Sequence, residues 1–239
     1  MSIPATIRLN KFISNSGICN RRQADDYISQ GRVTVNNIII NKLGSKVSLN
    51  DLVKFDGKKV SLIKMQYIIL NKPKGFHCVN SISNSKTIFS LLSSTDLKNI
   101  KSIDFLKENY TGLLLLSNDN KFINKINSKK KSITQIFHLK LNKHFLQKTF
   151  KLIKNFHVSD KLTVKSINYV NGAEKNELGL ELYMDSIKDL EKLFFQFNYK
   201  IISCDRVLFS SLTKKDLSRG QWRNLSKQEL INLNNFNTN

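Results

Sequence analysis

The chain predicts an α+β protein in two parts, and three observations carry that expectation. Residues 7–60 hold two helix-length stretches followed by a strand, a turn and a strand. Beyond them stand short apolar or alternating runs at 67–70, 113–116, 133–141 and 178–184, each of strand length. Residues 187–197 then supply an amphipathic helix to lie against such strands. With 239 residues the chain can bury two cores.

The first part justifies itself residue by residue. Leu9, Phe12 and Ile13 share one helical face, with Arg8 and Lys11 off it, and Gly17 is placed to close that helix. Asn20 is a suitable N-cap for a second helix over 21–30, with Ala24, Tyr27 and Ile28 inward, and Gly31 stops it. Residues 32–40 read as strand, turn, strand, and Val47, Leu49, Leu52, Val53, Phe55 and Val60 complete a small core. Arg21 and Arg22 open the second helix, where positive charge opposes the helix dipole. An anionic ligand would supply the compensation. These features bound a domain over 1–60, with 61–66 as a connection.

The second part begins with a strand over 67–70 and a turn at Pro73 and Gly75. A polar loop leads into the run Leu113 to Leu116, set between Gly112 and Ser117-Asn118-Asp119-Asn120. Helices are expected over 87–92, 122–126, 145–156 and 187–197, and strands over 133–141, 161–170 and 178–184. Lys129-Lys130-Lys131 is a charge run that suits a solvated surface or an RNA-facing loop equally well. The second domain spans 67–233, with 234–239 as a frayed tail.

Lys and Arg number 39 against 18 Asp and Glu, a net charge of +21. That excess calls for a polyanionic partner, either nucleic acid or an anionic membrane surface. An AT-rich coding sequence would also favour Lys, Asn, Ile and Phe, but it does not require so few acids. No arginine stands between Arg32 and Arg206, so the long middle of the chain carries lysine point charges and no guanidinium fork. No apolar run approaches the roughly 20 residues of a membrane span, and the first residues make no signal peptide. The three cysteines, Cys19, Cys78 and Cys204, show no metal-ligand spacing and fit a reduced cytoplasmic setting.

Two sets of motifs resemble known families. Arg-Leu-Asn-Lys from Arg8, then Gly17, Arg21-Arg22 and Gly31-Arg32-Val33-Thr34-Val35-Asn36, resemble the alpha-L RNA-binding domain first seen in a small-subunit ribosomal protein. The segment Leu-Asn-Lys-Pro-Lys-Gly from Leu70 to Gly75, the Gly-Leu-Leu-Leu-Leu run from Gly112, and the closing pattern Arg206, Leu212, Asp216-Leu217, Gly220, Trp222-Arg223 and Leu225 resemble the pseudouridine synthases that modify ribosomal RNA. The resemblance implies a mixed, mostly antiparallel sheet with flanking helices, an RNA partner (ribosomal RNA or a ribosome precursor), no metal and no organic cofactor, a monomer, and a cytoplasmic location. It further implies RNA contacts by Arg8, Lys11, Arg21, Arg22, Arg32, Lys72 and Lys74.

At its centre the chain departs from the family. A Gly-Arg-Leu-Asp segment, whose Asp is the nucleophile, is expected where Asp104-Phe105-Leu106-Lys107 stands. Lys107 therefore takes the nucleophile position and Phe105 the Arg position. The family's Lys-x-Tyr becomes Gln135-Ile136-Phe137, so the ring remains to stack on a base while the hydroxyl is lost. The Arg-rich run that opens the last helix becomes Asp185-Ser186-Ile187-Lys188-Asp189. A protonated ammonium has no lone pair with which to attack. The expectation is an rRNA-binding pseudoenzyme on the synthase scaffold. The alternative is an active synthase that uses Asp104 as a shifted nucleophile.

Overall fold

The computed structural model describes residues 6–79, 86–92, 99–156 and 162–235. Two compact units divide the chain, Met1–Lys64 and Met65–Asn239.

The smaller unit runs β1 (Thr6–Arg8), α1 (Leu9–Asn15), α2 (Arg21–Ser29), β2 (Val33–Val35), β3 (Ile38–Ile39), β4 (Lys46–Ser48), β5 (Val53–Phe55) and β6 (Lys58–Lys59). Asn20 caps α2 through a reciprocal box with Gln23, which satisfies two backbone donors at the helix start. Strands β3-β2-β5-β6 form one antiparallel ribbon, and β1 pairs with β4. Leu9, Phe12, Ile13, Ala24, Ile28, Val33, Val47, Val53 and Val60 form its core. Leu49, expected in that core, is exposed instead. β4 ends at Ser48 and the chain turns at Leu49, so the alternation that buries Val47 does not carry on to it.

The larger unit is built on one twisted sheet. Its strands are β7 (Tyr67–Lys72), β8 (Lys101–Ser102), β9 (Thr111–Ser117), β10 (Gln135–Leu141), β11 (Leu162–Tyr169), β12 (Glu177–Met184), β13 (Ile201–Phe209), β14 (Leu212–Thr213) and β15 (Trp222–Asn224). Their order is β11-β12-β10-β13-β9-β7-β15, with β8 on β9 and β14 on β13. Every pairing between these strands is antiparallel except that of β9 with β13. The helices are α3 (Asn120–Ser128), α4 (Gln147–Asn155), α5 (Ile187–Gln196) and α6 (Lys227–Asn234). Residues 87–92 yield only a 3-10 turn over Ile88–Leu92. Position 161 and the last four residues of the expected tail lie outside the described residues.

Burial explains the strand patterns. β10 and β12 alternate strictly between buried and half-exposed positions, because only one face of that half-sheet is covered. β7 and β9 are buried almost throughout, because cores lie on both their faces. One core packs Leu114 and Leu116 against Leu190, Leu193 and Phe194 of α5, and the other packs Leu113 and Leu115 against Phe122, Ile123 and Ile126 of α3. No helix of the described residues is long and apolar enough to cross a membrane.

Candidate functional site

The loop between β8 and β9 carries both Asp104, the candidate nucleophile, and Lys107, which takes the motif's nucleophile position, and the fold sends their side chains to different places. Gly112 brings β9 against β13 in the parallel pairing, at φ +109°. A Cβ there would lie 2.3 Å from the Arg206 carbonyl oxygen, so only glycine fits. This close approach sets Arg206 beside the loop.

Arg206 is 1% exposed, and its guanidinium is held by partners on several sides. Nε donates to the Leu113 carbonyl at 2.7 Å. Nη1 donates to the Gln135 side-chain oxygen at 3.1 Å and to the Asp104 carboxylate. The group also lies over the rings of Phe137, at 6.0 Å, and Phe209, at 5.1 Å. A buried guanidinium demands a counter-charge, and Asp104 is that charge. Its side chain is 8% exposed and also accepts from Lys130 Nζ at 3.2 Å and the Phe105 backbone N–H at 2.7 Å. Burial pushes the Asp104 carboxyl up, but Arg206 and Lys130 outweigh it and hold the group below the usual carboxylate range. Asp104 lines a cavity of about 500 Å³ together with Cys78, Phe105, Lys130 and Asp185. Phe105, at the motif's Arg position, is exposed there.

Lys107 points elsewhere. Its Nζ lies 2.6 Å from Glu191 on α5, and the same carboxylate accepts from the Tyr110 hydroxyl. Burial, followed by the bond to Glu191, raises the Tyr110 pKa. The backbone of this loop is pinned from below by Lys72. That ammonium lies within 3.2 Å of the carbonyl oxygens of Pro73, Lys107, Glu108 and Tyr110.

Two sequence expectations need correction here. Lys72 was expected on RNA, but it is 0% exposed and its donors are spent on the loop. Burial pushes its pKa down to about 8, against an opposing pull from Cys78 and Glu108. Phe137 was expected to stack on a base, yet it too is 0% exposed, packed in the core beneath Arg206. The sequence did not place Arg206 or Glu191 in the site, and it gave Gln135 and Lys130 only as members of a motif and of a charge run, not as partners of Arg206 and Asp104. For Arg206 the signal was its place in the closing pattern, as the first arginine after Arg32.

In the smaller unit Arg8, Lys11, Arg21 and Arg22 are exposed, as is Lys74 in the larger one. Arg32 is exposed but engaged. It makes a two-pronged bond to Asp56, with Nε at 2.9 Å, and its guanidinium lies over Tyr27 at 4.5 Å and Phe55 at 4.7 Å. Among the described residues no group of His, Cys, Asp or Glu side chains could hold a metal ion.

Comparison with known proteins gives a consistent result. Residues 7–53 match the S4 domain, and residues 66–218 match the RNA pseudouridylate synthase family. An uncharacterized RNA pseudouridine synthase of Aquifex aeolicus is 32% identical over 95% of this chain and 93% of its own length. The ribosomal large subunit pseudouridine synthase B of Bacillus subtilis is 25% identical over 95% of each chain. The dual-specificity RNA pseudouridine synthase RluF of Escherichia coli is 26% identical over 96% of this chain and 79% of its own length. A crystal structure of a pseudouridylate synthase superposes with a TM-score of 0.60 at 22% identity, covering 95% of this chain and 99% of that one, which shows the shared fold.

Proposed function

The chain belongs to the RNA pseudouridylate synthase family, joined to an S4 domain, and from that premise we propose that it binds ribosomal RNA in the cytoplasm without isomerising uridine. The observation that carries this reading is the division of labour in the 103–110 loop. The side chain at the motif's nucleophile position is an ammonium held by Glu191. The only carboxylate that the loop directs inward, Asp104, is committed to Arg206, Lys130 and a backbone N–H. A carboxylate with its lone pairs in three N–H bonds and a lowered pKa is a poor nucleophile. The buried Phe137 has no hydroxyl with which to move a proton.

Binding in this reading rests on the exposed Arg8, Lys11, Arg21 and Arg22 and on the excess of lysine. Counterion release makes such binding steeply salt-dependent. The domain limits 1–60 and 67–233 and a monomeric state belong to the same proposal.

One observation favours the second reading, an active synthase. Asp104 stands on the wall of a cavity, with Arg206 beside it. The experiment that separates the two incubates the purified protein with rRNA from a strain lacking the gene and maps pseudouridine at base resolution. No new pseudouridine, with retained rRNA binding that falls in Arg21→Ala/Arg22→Ala, is the expected outcome. A new pseudouridine lost in Asp104→Asn would overturn the proposal.

A further inference from the structure

A second groove, of about 510 Å³, runs beside α5 at the far end of the same loop. Lys107, Lys188, Lys192, Lys200, Phe195 and Tyr199 line it. Its one carboxylate, Glu191, is already engaged by Lys107 and the Tyr110 hydroxyl. Among the described residues no carboxylate lies within ion-pair distance of Lys188, Lys192 or Lys200. The groove is therefore strongly cationic.

Phe195 is the feature that charge alone does not explain. It is 77% exposed. The buried face of α5 is complete without it, formed by Ile187, Leu190, Leu193 and Phe194. Helical spacing places Lys188, Lys192 and Phe195 along the opposite, solvent face. A large flat ring on a polar helical face, with ammonium groups one and two turns away, has the composition of a site for single-stranded nucleic acid. Bases stack on the ring and the flanking phosphates meet the cations.

We propose that this groove takes an unpaired stretch of RNA, with one base stacked on Phe195 and the neighbouring phosphates on Lys188, Lys192 and Lys200. The proposal rests on the RNA-binding part of the reading above and adds a second contact, separate from the S4 domain. It also gives Lys107 a place in the molecule: the position that the family motif reserves for a nucleophile anchors Glu191 at the groove's inner wall.

The test is a fluorescence-anisotropy titration of the full chain with a labelled, unstructured oligouridylate over a series of salt concentrations. Phe195→Ala should weaken binding roughly tenfold, the scale of one lost stacking contact. Lys188→Ala/Lys192→Ala should lower the slope of log K against log salt by about 1.4, from two lost phosphate contacts to a single strand. All three side chains are exposed, so the melting temperatures should match the wild type. Binding by Phe195→Ala within twofold of wild type, with the slope of the lysine variant unmoved, would overturn the proposal. Loss of structured-rRNA binding in Arg21→Ala/Arg22→Ala beside that result would leave the RNA-binding reading standing and remove the groove alone. Equal competition by oligoglutamate would also overturn it, in favour of an acidic protein partner.

Discussion

Replacing Asp104 by Asn should destabilise the larger unit, and the size of the effect follows from Arg206. The guanidinium is 1% exposed, and Asp104 and Lys130 are the charged groups that meet in its network. Removing one partner of a buried ion pair costs about 3–5 kcal/mol, because the remaining charge stays in a medium that solvates it poorly. Asparagine keeps an oxygen that can accept from Nη1, which places the expected loss near the low end, about 3 kcal/mol. For a unit of this size, that corresponds to a fall in melting temperature of roughly 6–12 °C. The carboxyl has its pKa lowered on folding. Its contribution is therefore fully present above the unfolded aspartate value and is lost as pH falls through the folded one. The gap between wild type and Asp104→Asn should accordingly be constant near neutrality and close in acid. Circular-dichroism melts between pH 3 and pH 7 measure both quantities. A variant as stable as the wild type, or more stable, would refute the counter-ion role and describe instead a carboxylate held at a cost for some other purpose.

Three further outcomes are expected. Lys107→Asp, which restores a carboxylate at the motif position, should yield no pseudouridine in base-resolved mapping, because Arg206 is already neutralised by Asp104 and Phe137 still lacks a hydroxyl. Gly112→Ala should cost more than about 4 kcal/mol or prevent folding, since its Cβ would meet the Arg206 backbone at 2.3–2.4 Å; a soluble variant with a wild-type melt would contradict the close approach. Glu229→Gln should lower stability by about 0.5–1 kcal/mol at neutral pH, a figure discounted for the partial exposure of its pair with Arg223. The Glu229 carboxyl is held at about 2, first by Arg223 and then by the capping bonds of α6. That loss should be constant above the ordinary glutamate range and vanish as pH approaches 2.

The fold was largely legible because most of its elements carry their own period. β10 and β12 alternate, β7 and β9 are continuous apolar runs, and α5 shows a clean apolar face. β13 was not legible as a strand, although it joins the two halves of the sheet. Its sequence Ile-Ile-Ser-Cys-Asp-Arg-Val-Leu-Phe interrupts the pattern with a buried arginine, and nothing within those nine residues shows that the charge is matched. The match comes from Asp104, 102 positions earlier. The same limit produced the error at Lys72. A lysine in a turn-rich segment reads as surface, and three of the four carbonyl oxygens that enclose it come from the distant 107–110 loop. The residues that stand at 104–107 were themselves plain in the sequence. What the motif could not tell was that its one acid would turn inward and its lysine outward.

The one parallel pairing between strands of the large sheet, Thr111 with Asp205 and Gly112 with Arg206, has a consequence for the order of assembly. A parallel neighbour cannot be reached by a tight turn, so although β8 covers the far end of that edge, the Thr111–Gly112 end of β9 must wait for a strand made some ninety residues later. Contacts of such long sequence separation form slowly. The smaller unit ends at Lys64, long before that closing strand is synthesised. At translation rates of about 5–20 residues per second, the lag is on the order of ten seconds. Throughout it, a nascent chain would already present Arg21 and Arg22 on a finished helix while the centre of the large sheet still lacked its keystone.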